Sequence, residues 1–288
     1  MCPHIRNLIV GLCVTGAVSI AVAQQDPTFE VATVKRNTSA PGNSLLRRMP
    51  GGRLTATNMP VRLMITFAYQ LAQYQLVGGP SWITGDGYDI VAKMEGDPAP
   101  VAPGTGTDPM QLALRGLLAE RFKLKVHRET REMDIFALVM AKPGGAPGPS
   151  LKLSTADCAA QAAAARRGGP PPGPPGPPAP GAPFCGIFGG PGRLRFGGLP
   201  ASQMAQAFSG QSGRMVVDRT GLPGSWDFEL NFAPEGRGGP GGPDAPAADP
   251  NAPSFFTAIQ EQLGLKLEPT KGPVEVLVID SIEHPTDD

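Results

Sequence analysis

The sequence predicts an α+β protein, built as two related β-α-β-β-α-β-β units from an internal duplication and joined by a Gly/Pro-rich disordered linker. Three observations predict it. Short motifs recur in the same order at offsets of 138 to 141 residues: Gly52-Arg53-Leu54 returns as Gly192-Arg193-Leu194, and Met59-Pro60-Val61 as Leu199-Pro200-Ala201. Tyr88-Asp89-Ile90 returns as Trp226-Asp227-Phe228, and Phe122-Lys123-Leu124-Lys125-Val126 as Leu263-Gly264-Leu265-Lys266-Leu267. One such match is chance, whereas four in register read as a repeat. Helical and strand periodicities follow one another in the same order in both copies. Finally, glycine and proline, 38 and 34 of the 288 residues, are concentrated in tracts: 24 of the 49 residues from 143 to 191 are one or the other. The 41% hydrophobic content and zero formal charge exclude wholesale disorder. They also disfavour a uniformly basic nucleic-acid binder.

The elements follow in chain order. Residues 29–35 read as an extra strand of the first unit. Pro60 suits the start of a helix, where its missing N–H costs nothing, and Val61, Met64, Ile65, Ala68, Leu71 and Ala72 share one face. Strands are expected over 74–77 and 86–94. Asp108 is placed to cap a second helix with Pro109 at its first position, burying Met110, Leu114, Leu117, Leu118 and the aliphatic stem of Arg121. A two-stranded finish, 123–129 with 133–141, closes the unit. In the second unit Pro200 opens a helix with Ala201, Met204, Ala205 and Phe208 inward, and strands are expected over 214–218 and 225–232. In the latter, Trp226, Phe228, Leu230 and Phe232 alternate with Asp227, Glu229 and Asn231. Ser254 caps a helix burying Phe255, Phe256, Ile259 and Leu263, which Gly264 ends. A second two-stranded finish, 265–268 with 274–282, completes the chain.

The resulting plan is a signal peptide over 1–23, a first unit over 24–142, the linker over 143–191 and a second unit over 192–288. Gly/Pro insertions at 96–109 and 234–253 precede the second helix of each unit. Within the linker, Gly173-Pro174-Pro175-Gly176-Pro177-Pro178 imitates collagen for two triplets before the phase breaks, so the segment is read as an extended polyproline-type spacer.

The N-terminus reads as an export signal. His4 and Arg6 precede an apolar run over residues 8–23 that ends in Ala21-Val22-Ala23, the small-x-small pattern of a cleavage site after Ala23. Sixteen residues fall short of the ~20 that span a bilayer as a helix. No other stretch approaches that length, so the mature chain is expected to carry no transmembrane segment and to be periplasmic or secreted. Cleavage removes Cys2 and Cys13 and leaves Cys158 and Cys185 in a compartment that permits disulfides. A bridge between them is expected, closing a loop around the most proline-rich tract.

The mature chain contains two histidines, His127 and His284, with no His-x-x-x-His or Cys-x-x-Cys spacing, so no metal site is expected. Gly79-Pro80-Ser81-Trp82 lacks the closing glycine of a nucleophile elbow, and no phosphate-binding Gly-x-x-x-x-Gly-Lys motif occurs. No cofactor is implied. The carboxylates Asp86, Asp89, Asp218, Asp227 and Glu229 sit at strand ends or on wet strand faces and read as structural. Read as a strand, residues 121–128 put Lys123, Lys125 and His127 on one face, a stripe suited to an anionic ligand or an envelope protein. The same lysines suit the protection of an edge strand. Trp82 after its turn is a stacking group for a ligand or a lid on the local core.

Six segments taken together carry a resemblance: Phe29-Glu30-Val31-Ala32-Thr33-Val34-Lys35, Gly79-Pro80-Ser81-Trp82, Tyr88-Asp89-Ile90-Val91-Ala92-Lys93, residues 121–129, Val217-Asp218-Arg219-Thr220-Gly221-Leu222 and residues 272–280. The chain resembles a soil-associated, largely acidobacterial family of exported proteins catalogued as a domain of unknown function. That resemblance implies an exported or envelope-associated protein and, because similar domains accompany membrane sensor-peptidase modules, a part in sensing or binding. It brings no catalytic residues. The leading expectation is therefore a non-catalytic binding, interaction or sensing module. The alternatives are an exported hydrolase using His127 with a nearby carboxylate such as Glu129, and a structural protein of the cell envelope.

Overall fold

The computed structural model describes residues 26–39, 44–98, 101, 106–158, 160, 163, 184–190, 192–233 and 252–286. The expected signal peptide, the collagen-like stretch of the linker and nearly all of the 234–253 insertion lie outside them. The described chain is mixed α and β, arranged as three four-stranded sheets.

The first sheet has the order β1-β5-β3-β2, all antiparallel, from β1 (Phe29–Asn37), β2 (Leu45–Met49), β3 (Arg53–Pro60) and β5 (Gly87–Met94). Its strands alternate as a half-buried sheet must: Tyr88, Ile90, Ala92 and Met94 of β5 point inward, and Val91 and Lys93 point out. Two helices cover the inner face. Helix α1 (Val61–Tyr69) follows Pro60 directly and ends at Gln70 in the left-handed conformation, two residues before the expected end at Ala72. Helix α3 (Pro109–Arg121) begins as expected, with the Asp108 carboxylate accepting the Met110 N–H. A short β4 (Leu76–Gly78), preceded by a 3-10 turn at Gln73–Gln75, and a single helical turn α2 (Trp82–Gly85) link α1 to β5.

The second sheet repeats this order with later strands, β7-β11-β9-β8. It comprises β7 (Lys152–Leu153), β8 (Gly186–Gly190), β9 (Arg193–Pro200) and β11 (Ser225–Asn231). Helix α4 (Ala201–Ser212) and helix α5, which runs from Phe255–Ala258 into a π turn at Ile259–Leu263, cover it. Its core is aromatic: Phe196 and Phe228 stack at 4.9 Å between ring centroids, and Phe208 meets Phe255 edge-on. Phe256, expected inside, is instead largely exposed.

Two expectations are corrected here. Each two-stranded finish is one unbroken strand: β6 (Lys125–Met140, 16 residues) and β12 (Leu265–Ser281, 17 residues). They pair antiparallel over nearly their full length, from Leu265↔Met140 to Ser281↔Lys125. Each supplies the hydrogen-bond partners that a local hairpin would have supplied, so the turn-like Pro269 to Pro273 segment runs straight through. Both prolines lie outside the Leu277–Ile279 stretch that β4 covers, where β12 is an edge and a missing N–H is tolerated. The second correction concerns the linker. Residues 143–191 are not all spacer, since Leu151 is buried and β7 and β8 join the second sheet.

The central sheet has the order β10-β6-β12-β4, with β10 (Val216–Asp218) parallel to β6 and β4 parallel to β12. Each short strand therefore pairs with the long strand of the other half. Each long strand also feeds both cores. Val126 of β6, with Leu124 just before the strand, packs in the first and Phe136 and Leu138 in the second, while β12 runs the other way, from Leu265 in the second to Leu277 and Ile279 in the first.

Candidate functional site

Because side chains alternate along a strand, the central sheet has two distinct faces. The face carrying odd positions of β6 and even positions of β12 supports a third, small apolar cluster. Ile135, Val274 and Val276 are buried there, with Val77, Val278, Met133 and Val217 packed beside them. Tyr74, from the turn before β4, and Met215, from the segment before β10, pack on this floor from opposite halves. Gly272 leaves room for the Ile135 side chain, since a Cβ there would come within 2.7 Å of the Ile135 Cδ1.

At this seam a cleft of about 470 Å³ opens, lined by Tyr74, Met133, Ile135, Met215 and Val274. Glu132, Asp134, Arg214 and Lys271 supply its charges. Burial raises the Tyr74 phenol above its ordinary pKa, an effect partly countered by the Ser209 hydroxyl of the other half. A phenol kept neutral, two methionines and a balanced set of charges can hold an amphipathic ligand. They do not make a nucleophile and base pair. Among the described residues no cluster of three or more His, Cys, Asp or Glu could hold a metal ion.

Farther along the same face stands His127. Its Nδ1 lies 2.7 Å from Asp280 Oδ1 and its Nε2 3.5 Å from Glu129 Oε2. Arg131 pairs with Glu129 in turn. The Asp280 hydrogen bond, assisted by Glu129, holds the imidazole pKa above its usual value. Arg131 holds the Glu129 carboxyl below its usual value. An acid on Nδ1 is the arrangement that orients a catalytic histidine, but the Nε2 that would meet a nucleophile meets a second carboxylate instead. The ring is held between two carboxylates that favour its protonated form.

A raised folded pKa means that this clamp contributes stability fully below the unfolded imidazole value, near 6.5, and loses it as pH rises through the folded value. The melting temperature gap between the native protein and His127→Ala is therefore expected to be larger at pH 5.5 than at pH 9. Equal gaps across that window would contradict the clamp.

The other residues singled out in the sequence are dispersed. Lys125 shares the face of His127, opposite Ser281. Lys123 does not: helix α3 runs to Arg121, Phe122 caps it, and Lys123 takes the left-handed conformation (φ 51°) that turns the chain into β6. The expected three-residue stripe therefore reduces to Lys125 and His127. Trp82 lies on the far side of the first unit, where His284 stacks on it at 3.9 Å and hydrogen-bonds the Tyr88 hydroxyl through Nδ1 at 3.0 Å. The Glu283 N–H donates to the Phe122 carbonyl at 2.8 Å, pinning this tail. Trp82 is thus a lid on the core, with its outer face already occupied by the chain's own C-terminal segment. Cys158 and Cys185 form the disulfide, with 5.5 Å between their Cα atoms. Asp89 and Asp227 are structural, accepting the backbone N–H groups of Asn58 and Gly198 at the bulges of β3 and β9.

Sequence reasoning missed Tyr74, Arg214 and Met215, which reach the cleft only because the short strands cross to the other half. It also missed Asp280 as the partner of His127, since a hairpin reading of 265–282 hides the 125–281 pairing. No helix among the described residues is long and apolar enough to cross a membrane. No curated protein and no solved structure matches the chain. A family model does, over residues 62–282, from α1 to the residue after β12, and on that match the chain belongs to DUF3738, a family of proteins of unknown function.

Proposed function

We propose that this protein is an exported, non-catalytic binding module, built by duplication, whose ligand-receiving surface is the seam between its halves. The convergence of Tyr74 from one half, Arg214 and Met215 from the other, and both long strands on one cleft is the observation that carries the reading. The duplication is supported by the equivalent strand orders β1-β5-β3-β2 and β7-β11-β9-β8 and by the reciprocal placement of β4 and β10. Export is supported by the N-terminal pattern ending at Ala23 and by a disulfide of the kind that persists in oxidising compartments. Under this reading the mature chain begins at Gln24 and is recovered from the periplasm or medium.

The test is site-specific photo-cross-linking in intact cells. A photoreactive residue at position 74 or 214 is expected to capture a ligand or envelope partner, and one at the exposed position 210 on α4 is not. If positions 74 and 214 capture nothing more than position 210, the seam is not the binding surface. The hydrolase alternative draws on the Asp280–His127–Glu129 arrangement. It requires a hydrolytic activity that His127→Ala removes while the melting curve keeps its shape.

A further inference from the structure

The outer faces of the first and second sheets occupy matching positions, yet among the described residues only one is covered and charge-paired by its own chain. In the second sheet Glu229 on β11 pairs with Arg193 and lies 3.6 Å from the Arg195 Nε, both on the neighbouring β9. The disulfide-tethered segment then covers the face. The Phe184 ring lies 5.1 Å from the Arg195 guanidinium, and Cys158 Sγ and the Phe184 backbone press on Gly197 and Gly198. An acid and a strip of extended chain complete that surface.

Among the described residues the first sheet has no acid paired across the middle of this face and no segment laid over it. Lys93 of β5 stands directly across from Arg53 of β3, flanked in the same cross-strand row by Val31 and Met49. Like charges directly opposite one another destabilise a strand pair. In the next row Val91 occupies the place that Glu229 fills in the second sheet, and Arg47 lies across from Thr55. Among the described residues no ion pair is formed by Lys93, Arg53 or Arg47. Asp89, at one end of the face, is committed to the Asn37 amide and the Asn58 N–H. Val31 is 60% exposed and Val91 52%, so aliphatic surface lies between the cations.

We propose that this face docks an extended acidic polypeptide segment of a partner protein, its carboxylates meeting Lys93, Arg53 and Arg47 and its intervening aliphatic side chains covering Val31, Val91 and Met49. Charge complementarity fixes the sign of the occupant. The aliphatic residues between the cations favour a peptide of alternating character over a uniformly polar anionic polymer. The second sheet shows the same geometry closed by a carboxylate and an extended segment of its own chain. This surface is separate from the seam, so the two assignments stand or fall independently.

The experiment measures binding of a labelled ten-residue peptide of alternating Glu and Val to the full chain by fluorescence anisotropy at low salt. The alternating Lys and Val peptide, polygalacturonate and anionic phospholipid vesicles are run as competitors. The native protein is expected to bind the acidic peptide at least tenfold more tightly than the basic one, and to lose that affinity as salt rises. Val91→Glu supplies the acid that Glu229 supplies in the second sheet. It is expected to abolish binding while leaving the melting temperature unchanged or higher, because it relieves the Lys93 and Arg53 repulsion. Arg53→Glu is expected to lose binding as well, and Tyr74→Ala in the seam to retain it. Equal affinity for the two peptides, retained binding by a folded Val91→Glu variant, or displacement of the peptide by polygalacturonate or vesicles at lower concentration than by unlabelled peptide would each overturn the proposal.

Discussion

Replacing Val276 by aspartate is expected to unfold both halves of the protein in a single transition. Val276 is 1% exposed in the floor of the seam, beside Ile135 and Val274 and directly across from Glu129, whose carboxylate already engages the neighbouring Arg131 and His127. An unpaired carboxylate there must stay ionised in an apolar site or take up a proton at neutral pH. Either course costs several kcal/mol, roughly 3–5 on the scale of broken buried pairs. Against a total stability of about 5–15 kcal/mol, that removes a large share of what holds the fold. The topology dictates where the damage goes. β12 packs into the second core at Leu265 and the first at Ile279, so loosening its middle releases both ends. The chain carries one tryptophan in each half, Trp82 and Trp226, so the single-tryptophan variants Trp82→Phe and Trp226→Phe report the halves separately. Both are expected to give coincident denaturation midpoints, shifted together by Val276→Asp. Separate midpoints would mean that the halves are independent domains joined only in passing.

That shared middle is also what the sequence concealed. Local signals were legible where they decided local structure: Asp108 and Ser254 cap their helices, Gly264 ends α5, and Trp226, Phe228 and Leu230 alternate inward on β11. The long strands were hidden because Pro269-Thr270-Lys271-Gly272-Pro273 has the residue types of a turn, and only pairing with Phe136 to Glu132, 133 to 141 residues earlier, makes it a strand. Non-local hydrogen bonds outweigh turn chemistry, and no window along the chain contains them. Lys123 was misplaced for a different reason. Apolar residues and lysines alternate across 122–126 and imitate a strand start, although the first residue after the helix cap turns left-handed. The matching motif carried a signal, since Gly264, in the corresponding place after α5, has φ 67° against 51° at Lys123. The small strands β2 and β8 were missed because one follows a Pro-Gly loop and the other lies inside a Gly-rich tract, where composition argues against strand. The cleft inherits these difficulties. Tyr74 and Met215 read in sequence as ordinary residues of two short strands and become neighbours only because those strands cross to the other half.

Gly198→Ala is expected to be the most damaging single-methyl change in the second half. Gly198 has φ 66°, which costs a residue with a side chain about 1–2 kcal/mol. Its added Cβ would lie 2.0 Å from Cys158 Sγ, so the covering segment must lift, at a typical overpacking cost of about 1–3 kcal/mol. The two effects separate experimentally. The matching bulge in the first sheet is occupied by Asn58 at φ 46°, with the Asp89 carboxylate accepting its N–H as Asp227 accepts that of Gly198. An asparagine is therefore compatible with the backbone at this place. Gly198→Asn should relieve part of the conformational penalty and keep the clash. Replacing both cysteines by serine frees the segment to move, so Gly198→Ala should cost less in that background than in the bridged protein. The difference, read from a double-mutant cycle of denaturant midpoints, measures how firmly the disulfide holds its segment against the sheet. Equal cost in both backgrounds would mean that the left-handed backbone alone demands glycine, and that the bridge does not hold its segment against the sheet.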